Sequence, residues 1–176
     1  MRRFSRVGSK LFEPVQIVGG PKSRAIVQRP PDIDRPGVEF NYPNLTCRVH
    51  HDSLIKSGQV ISMAGCYYLV ADHSSTVDWV THHLFRCDRQ VSWARISTTT
   101  DPVTGVERNT SPSSQGTLWV VWNRMRREFV DLNIRIAQET HMMVTGANVL
   151  LDDTIDGMTV KRVSQALGVK VVELQG

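Results

Sequence analysis

Two cysteines and two histidines have the side chains and spacings that a metal site requires. Cys47 precedes His50 by three positions, and His83 precedes Cys87 by four. Thiolate and imidazole are the ligands that zinc prefers, so the four residues could form a tetrahedral site. Against this, residues three apart on one strand face opposite sides, and neither pair has the tight Cys-x2-Cys spacing of zinc modules. We therefore expect ordinary core cysteines and surface histidines, with no metal and no cofactor.

No residue pattern in the sequence supports catalysis. Asp72-His73-Ser74 has the residue types of a triad, but triad members meet through the fold rather than as sequence neighbours, which favours a polar turn. Three carboxylates that could bind a divalent cation lie near the end of the chain, at Asp152, Asp153 and Asp156. The Asp-Gly pair among them is typical of a hairpin turn, and neither a nucleophile elbow nor a glycine-rich phosphate loop is present. We expect that the protein is not an enzyme.

Arginines close to tryptophans are the best candidate in the sequence for contact with nucleic acid. This basic-aromatic patch consists of Trp119, Trp122, Arg124, Arg126 and Arg127. Barrels of the OB type bind single strands with basic grooves and stacking aromatic side chains. Tryptophans in such a strand are more often core or interface residues, so that alternative stays open. Three further candidate interface or DNA-channel residues lie at the start of the sequence, at Arg2, Arg3 and Arg6.

The charge of the chain limits its partners only weakly. The formal net charge is +4, and 16 of the 21 basic residues are arginine. Arginine favours planar contacts with carboxylate, phosphate or aromatic faces, which occur in protein interfaces as well as in nucleic-acid complexes. A net charge this small does not by itself indicate a dedicated nucleic-acid binder.

Composition also indicates where the protein is made. The three cysteines form no even disulfide framework, which fits a reducing compartment. No apolar segment follows the basic first residues as it would in a signal peptide, and no run approaches the ~20 apolar residues of a membrane span. A chain of 176 residues can bury a core without disulfides or metal. We expect a protein that is made in the cytoplasm and stays there until it acts.

Residues 1–44 are predicted to form an extended, proline-rich arm that lies on a neighbouring chain. Six of the eight prolines fall within residues 1–43, and proline opposes helix formation. Two short strands are predicted inside this arm, at Val15–Val18 and Ala25–Gln28, each followed by glycine or proline turn residues.

Residues 45–96 have the strongest strand signals and are predicted to form the core of a β-barrel. Two apolar runs on either side of Ala64-Gly65 are typical of a β-hairpin. The strands predicted in this region are Leu45–Val49, Gln59–Met63, Cys66–Val70, Thr81–Cys87 and Gln90–Ile96.

The rest of the chain is predicted to contain a loop and a second β region. Residues 97–117 are rich in turn-forming residues and are expected to be a long loop or linker, either solvated or ordered on assembly. Residues 118–176 are expected to form a second β module or to complete the same barrel. The strands predicted there are Leu118–Trp122, Asp131–Ala137, Gly146–Leu151, Met158–Val163 and Val169–Leu174, with Asn123–Val130 as a short helix or basic turn.

The two halves contain a similar series of segments. Each half has a strand, a glycine-led segment, a small turn and a second strand, in that order. In the first half these are Leu45–Val49, Gly58–Ile61, Ala64-Gly65 and Tyr67–Val70. In the second half they are Leu132–Ile136, Gly146–Leu151, Asp156-Gly157 and Met158–Val163. Short strands at regular spacing are typical of a barrel or sandwich. The predicted fold is mostly β, a small barrel or sandwich meander with an extended N-terminal arm and a long central loop. It consists of one barrel or of two related β modules.

The predicted hairpin of residues 54–70 has a pattern that occurs in a known family. It contains the stretch Leu54-Ile55-Lys56-Ser57-Gly58-Gln59-Val60-Ile61 and then Ala64-Gly65-Cys66-Tyr67-Tyr68-Leu69-Val70. This resembles the "gly-x-val, then gly-x-x-tyr-x-val" hairpin in the small β-barrel of the head-closure, or head–tail joining, family of tailed bacteriophages. The similarity covers mainly residues 45–96. Residues 118–176 exceed a minimal head-closure protein, which leaves adaptor, collar and tail-terminator roles open.

The resemblance implies a structural virion protein of the phage neck. Copies would form a homo-oligomeric ring under the portal, close the head after DNA packaging and provide a platform for the tail. The implied partners are the portal or adaptor protein and the tail proteins, with non-specific contact to packaged DNA left open and no membrane involved. The implied location is the neck of the virion, after assembly in the host cytoplasm. Two alternatives from other classes are a nucleic-acid-binding, OB-like β-barrel and a small zinc-stabilised β module.

Overall fold

The computed structural model describes residues 12–28, 45–96, 98–105, 107–109, 112–131 and 134–176. Within these ranges the protein is all-β and contains no helix, which confirms the predicted mostly-β class. The strands in chain order are β1 Glu13–Ile17, β2 Lys22–Gln28, β3 Leu45–His50, β4 Val60–Met63, β5 Cys66–Ser75, β6 Trp79–Arg86, β7 Arg89–Arg95, β8 Thr98–Thr100, β9 Glu107–Asn109, β10 Ser113–Asp131, β11 Ile134–Thr145, β12 Thr154–Ile155, β13 Met158–Ala166 and β14 Val169–Gln175.

Most of these strands close into two antiparallel barrels. Barrel 1 has the order β1-β2-β3-β6-β5-β4, and barrel 2 has the order β7-β10-β11-β14-β13-β12, while β8 and β9 form a separate hairpin. When the strands of each barrel are counted in chain order, the two circular orders are identical. The halves of the chain are therefore two β modules of one topology, the second of the two arrangements that the sequence left open.

Barrel 1 forms because its strands alternate apolar and polar residues. In β3, buried Cys47 and Val49 alternate with exposed Arg48 and His50. Complete burial of a side chain of valine or leucine size contributes about 1.5–3 kcal/mol, and closure of the sheet also removes its edge strands. The core of barrel 1 consists of Val15, Ile17, Ala25, Cys47, Val49, Ile55, Ile61, Met63, Val70 and Leu84.

Barrel 2 combines an apolar core with a buried carboxylate that is paired with a partly exposed arginine. Its core consists of Val91, Val120, Met143, Val149, Ile155, Val160, Val172 and Leu174. Asp153 is 2% exposed and accepts hydrogen bonds from Arg95 Nε and from Trp93 Nε1, each at 2.9 Å. The amide of Leu150 donates a further bond to the same carboxylate. Burial alone would raise the pKa of Asp153, but these hydrogen bonds outweigh it and hold the pKa below its usual value. This carboxylate thus fixes the loop after β11 to β7.

Both barrels have the same kind of turn after their fourth strand. Ala64 and Gly65 have φ values of 48° and 78°, and Asp156 and Gly157 have values of 47° and 82°. Two consecutive positive φ values define the type I′ turn, whose twist matches that of the flanking strands. The predicted turns at Ala64-Gly65 and Asp156-Gly157 are thus present at equivalent positions of the two barrels.

The predicted domain boundaries differ from the observed barrels. The arm predicted for residues 1–44 contains β1 and β2, which pair within barrel 1 rather than on a neighbouring chain. The other residues of that arm, 1–11 and 29–44, lie outside the described residues. β7, which was predicted to be in the core of residues 45–96, belongs to barrel 2. β1 and β2 form a local hairpin, but the pairings of β1 with β4, of β2 with β3 and of β7 with β10 and β12 join segments that are distant in sequence, so a local pattern does not reveal them.

Three predictions for the second half of the chain are also corrected. The predicted loop of residues 97–117 contains β8, β9 and the start of β10. Asn123–Val130, predicted as a helix or turn, is the middle of β10. Gly146–Leu151, predicted as a strand, is a loop that begins where the Thr145 hydroxyl accepts a hydrogen bond from the amide of Ala147. A side chain that binds the backbone in this way favours a turn over a strand.

Candidate functional site: the joint and the ribbon

The two barrels pack against each other through an apolar cluster, which we call the joint. It contains Leu69, Ala71, Phe85, Cys87, Val144 and Val169. Beside it, Trp119 of β10 stacks on Tyr67 of β5 with 3.9 Å between ring centroids. These residues alternate along their strands with residues of the barrel cores. β5, β6, β10 and β11 are therefore buried on both faces at the joint, which is unusual for an antiparallel sheet that faces water on one side.

Two glycines of barrel 2 lie very close to barrel 1 at the joint, Gly146 against its backbone and Gly168 against its side chains. A Cβ on Gly146 would overlap the carbonyl oxygen of Gly58, and a Cβ on Gly168 would overlap Ser57 Oγ. The carbonyl oxygen of Leu167 accepts hydrogen bonds from the amide of Asp72, at 2.8 Å, and from Ser57 Oγ, at 3.3 Å. At Gly146 only glycine permits this approach of backbone to backbone.

The linker between the barrels is short and fixed at both of its residues. Only Cys87 and Asp88 lie between β6 and β7. The amide of Cys87 donates to the carbonyl oxygen of Tyr67 in barrel 1, and the amide of Asp88 donates to that of Val120 in barrel 2. Asp88 Oδ1 also accepts a hydrogen bond from the Trp122 amide at 2.8 Å. We interpret the two barrels as one rigid unit, because the contacts of the joint and the linker oppose movement of one barrel against the other.

An open cleft lies next to the joint. It has a volume of about 520 Å³ and is lined by the turn after β1, the segment before β4 and the residues after β11. Val18 and Leu54 on its walls are 44% and 59% exposed. The cleft thus presents apolar surface that neither barrel core takes up.

A two-stranded ribbon extends from barrel 2. β10 pairs with β7 only up to Val120, and β11 pairs with β14 only from His141. Beyond these points, residues 125–131 and 134–140 pair with each other and, among the described residues, with no other strand. At about 3.3 Å per residue this ribbon is about 20 Å long.

The register of the ribbon separates its residues into two kinds of face. Because cross-strand partners share a face of the sheet, one face has four apolar positions, Met125, Phe129, Ile134 and Ile136, and four polar positions, Arg127, Asp131, Gln138 and Thr140. The opposite face has mostly charged positions, which include Arg126, Glu128, Arg135 and Glu139.

The structure separates the members of the predicted basic-aromatic patch. Trp119 belongs to the joint, whereas Trp122 packs against the core of barrel 2 with the Arg89 guanidinium 4.3 Å from its ring centroid. Both tryptophans thus pack in a core or between the barrels, as expected if they do not serve to stack on nucleic acid. The three arginines of the patch, Arg124, Arg126 and Arg127, lie on β10, the last two within the ribbon. Arg2, Arg3 and Arg6 lie outside the described residues.

The four residues that could have formed a zinc site lie in different surroundings. Cys47 is in the core of barrel 1 opposite His82, and Cys87 is in the joint. His50 is exposed and meets the Trp79 ring edge-on, at 5.8 Å between centroids. Burial raises the pKa of both thiols to about 12, which opposes the thiolate that zinc needs. No cluster of three or more potential metal ligands occurs in the described part of the chain.

Two of the three histidines on β5 and β6 are in contact near the joint, and the third, His82, lies on the opposite face of β6. His73 and His83 are 4.1 Å apart between ring centroids, and His82 is 4% exposed. His82 Nδ1 lies 3.9 Å from Asp72 Oδ1, too far for a hydrogen bond. Burial lowers the pKa of His82 and of His83. The predicted polar turn at Asp72-His73-Ser74 is instead part of β5, with a bulge between Asp72 and Ser74.

An aromatic and basic group that the sequence did not reveal surrounds Trp79 on the outer side of barrel 1. The Phe12 ring stacks on Trp79 at 6.2 Å between centroids, and the Arg48 guanidinium lies 5.1 Å from the same ring. We call Phe12, Arg48, His50 and Trp79 the Trp79 cluster. Its members come from three separate segments and meet only through the pairing of β3 with β6. The available signal was a tryptophan two residues before the predicted strand Thr81–Cys87.

Comparisons with known proteins find no relative of this chain. The chain matches no family model, no curated protein sequence and no solved structure. Among the described residues, no helix has the length and apolar content needed to cross a membrane.

Proposed function

We propose that this chain is a structural virion protein of the neck of a tailed bacteriophage. Copies form a ring between portal and tail, and the ring closes the head and joins the tail. The observation that carries this proposal is the ribbon of residues 125–131 and 134–140, which extends from a closed barrel and pairs only with itself among the described residues. A protein with such an arm is equipped to contact a neighbouring copy.

The ribbon has the properties of an element that is stabilised by a second subunit. Two strands alone are marginally stable in water, and both edges of the ribbon have backbone groups available for pairing. When each copy places its ribbon on the next, the contact is heterologous, and heterologous contacts that close after a fixed rotation produce a ring. The exposed apolar walls of the cleft, Val18 and Leu54, provide further surface for such contacts.

The rigid joint supports a mechanical role. A neck component must transmit force between the head and the tail without bending. The stacked Tyr67 and Trp119 rings, the glycine contacts and the two-residue linker oppose bending between the barrels. The hairpin that resembles the head-closure family consists of β4 and β5, so the resemblance and the joint share β5.

Native mass spectrometry of the purified protein tests this proposal. We expect the intact chain to form a metal-free ring of about six or twelve subunits, given closed symmetry. In the test variant, an Asn-Gly turn replaces residues 126–139, so that the Met125–Thr140 pair closes a shorter hairpin. This variant should be monomeric and should keep the circular dichroism spectrum of the intact protein.

The matched control shortens the other exposed hairpin. An Asn-Gly turn replaces residues 101–106 and leaves the pairing of Thr100 with Glu107 in place. This control should still form the ring. A monomeric intact chain, or a ring that survives loss of the ribbon, would contradict the proposed assembly. The phage assignment has its own test, because the protein must copurify with intact virions of the phage that encodes it.

A further inference from the structure

Two histidines form a stacked pair at the border of the joint. The centroids of the His73 and His83 rings are 4.1 Å apart, with 32° between the ring planes. His83 is the cross-strand partner of Ala71, and its ring centroid is 6.2 Å from that of Phe85, so two residues of the joint adjoin it. The pair therefore continues the face of barrel 1 that packs against barrel 2.

The bulge in β5 places His73 on this face. The register of β5 with β6 shifts between Asp72 and Ser74, so His73 is the extra residue of the bulge, and a bulge redirects a side chain in this way. The amide of Asp72, the preceding residue, donates a hydrogen bond to the carbonyl oxygen of Leu167 in barrel 2 at 2.8 Å. A movement of His73 away from His83 therefore acts directly on a backbone hydrogen bond between the barrels.

The charged groups on the surrounding elements leave the pair without a carboxylate partner. On β5, Asp72 shares a face with its cross-strand partner His82, and its Oδ1 is 3.9 Å from His82 Nδ1. On β3, the Arg48 guanidinium lies over the Trp79 ring. On β14, Glu173 alternates with residues that pack in the joint, but within the described ranges it forms no ion pair with either histidine. A positive charge on the pair is therefore not compensated.

Protonation favours separation of the two rings. Burial, and then the charge of His73, lowers the pKa of His83 from 6.5, and among the described residues His83 Nδ1 is buried without a hydrogen-bond partner. The closed joint thus binds protons less well than an open joint, in which the rings reach water and like charges move apart. The neutral form supports closure fully above about pH 6.5, and this support declines as the pH falls towards the lowered pKa of the closed state. The other titratable groups at the joint, Tyr67 and Cys87, are uncharged in the acid range.

We propose that the stacked pair of His73 and His83 is an acid-sensitive latch, which releases barrel 1 from barrel 2 when the pair takes up protons. At neutral pH the two barrels move as one unit, and at acid pH they move independently while each barrel stays folded. The latch does not depend on the phage assignment, because it lies within one chain. His82 is not part of the latch, because it lies opposite Cys47 of the barrel 1 core, where protonation affects barrel 1 as a whole.

The test compares hydrogen exchange at two amides of β5. The Asp72 amide donates to Leu167 between the barrels, whereas the Val70 amide donates to the carbonyl oxygen of Gln59 within barrel 1, at 2.9 Å. Each rate is divided by the exchange rate of an unfolded chain at the same pH, and the ratio of Asp72 to Val70 then reports opening of the joint alone. This ratio should be constant above about pH 6.5 and should rise below it by up to about tenfold per pH unit for each proton taken up.

Two variants and a matched control assign this rise to the latch. His83→Gln should abolish the rise, and His73→Gln should reduce it, because the charge of His73 contributes to the lowered pKa of His83. The control, His51→Gln, changes an exposed histidine in the turn after β3 and should leave the rise unchanged. The readout is a pH dependence, so a variant that is less stable at every pH does not imitate the effect. The proposal is overturned if the ratio for the intact protein is the same at about pH 7.5 and about pH 5.5, or if the rise persists in His83→Gln.

Discussion

Replacing Gly146 with alanine tests whether close backbone contact holds the two barrels together. Gly146 follows β11 and faces Gly58, which precedes β4. Neither glycine belongs to the core of its barrel. The added methyl group should therefore disturb the joint and leave the pairing within each barrel intact.

The structure gives the size of the disturbance. An ideal Cβ on Gly146 lies 1.6 Å from the Gly58 carbonyl oxygen, whereas real Cβ atoms keep at least 3.0 Å, so the backbones must separate by about 1.4 Å. No change of rotamer relieves a contact with backbone. A gap of ~1 Å already removes up to half of the dispersion attraction across a surface, and an extra methyl group in a packed region costs about 1–3 kcal/mol. We expect the joint to lose about 2–3 kcal/mol, the upper part of that range.

Cysteine labelling can detect this loss at the joint itself. A Cys66→Ser background leaves Cys87, 6% exposed in the joint, and Cys47, 0% exposed in the core of barrel 1. Since burial raises the pKa of both thiols to about 12, each should react with a thiol reagent only when its surroundings open. A loss of about 2–3 kcal/mol should accelerate labelling of Cys87 about 30- to 150-fold. The rate for Cys47 should change much less.

Gly176→Ala is the matched control, because its Cβ would make an ordinary contact with Met158 at 3.6 Å. It should leave both labelling rates unchanged. If Gly146→Ala does not change the ratio of the Cys87 rate to the Cys47 rate, the barrels are not held by this contact and the rigid-unit interpretation fails.

Three further predictions concern two ion pairs, the buried His82 and the removal of metal. Asp153→Asn should lower the free energy of unfolding by about 2–3 kcal/mol in urea titrations, because it weakens the hydrogen bonds from Arg95 and Trp93 to a carboxylate that is 2% exposed. Asp156→Asn should cost about 1 kcal/mol or less, because its pair with Arg89 is partly exposed. Equal losses would contradict this difference. Burial holds the pKa of His82 in the folded protein below its ordinary value of 6.5. The folded state therefore binds the proton less well than the unfolded state does. The contribution of neutral His82 to stability is complete above about pH 6.5 and should decline as the pH falls from there towards the lowered pKa of the folded state. His82→Gln should flatten this part of the profile of thermal midpoint against pH, and an unchanged slope would exclude His82 as its source. An excess of chelator should leave the urea midpoint of the intact protein unchanged, because the residues of the proposed zinc set do not meet; a lower midpoint would restore the zinc alternative.

The sequence predicts individual strands well wherever apolar and polar residues alternate next to a turn. Val169–Leu174 and Met158–Val163 lie within β14 and β13, and both type I′ turns occur where Ala64-Gly65 and Asp156-Gly157 predict them. These features depend on side-chain alternation and on positive φ angles, which are local properties. The mostly-β class follows directly from them.

The assignment of strands to barrels could not be predicted, because it depends on pairing between distant residues. β7 follows β6 after two residues but joins β10 and β12 of the other barrel. The middle of β10 has Arg124, Arg126 and Arg127 in a run that resembles a helix or turn, and its extended form depends on pairing with β11. The Trp79 cluster was missed for the same reason, since Phe12, Arg48 and Trp79 become neighbours only through the sheet.

The shared strand order of the two barrels has a consequence for symmetry. A closed ring of n copies contains 2n barrels of one topology. If barrels 1 and 2 alternate around the circumference, the ring is n-fold by sequence but approximates 2n-fold symmetry in shape. Such a ring can meet a partner with n repeats on one side and a partner with 2n repeats on the other, with a whole number of barrels for each repeat. The two-residue linker sets the angle between the barrels within each chain, so this one-to-two ratio is present in the subunit before any ring has formed.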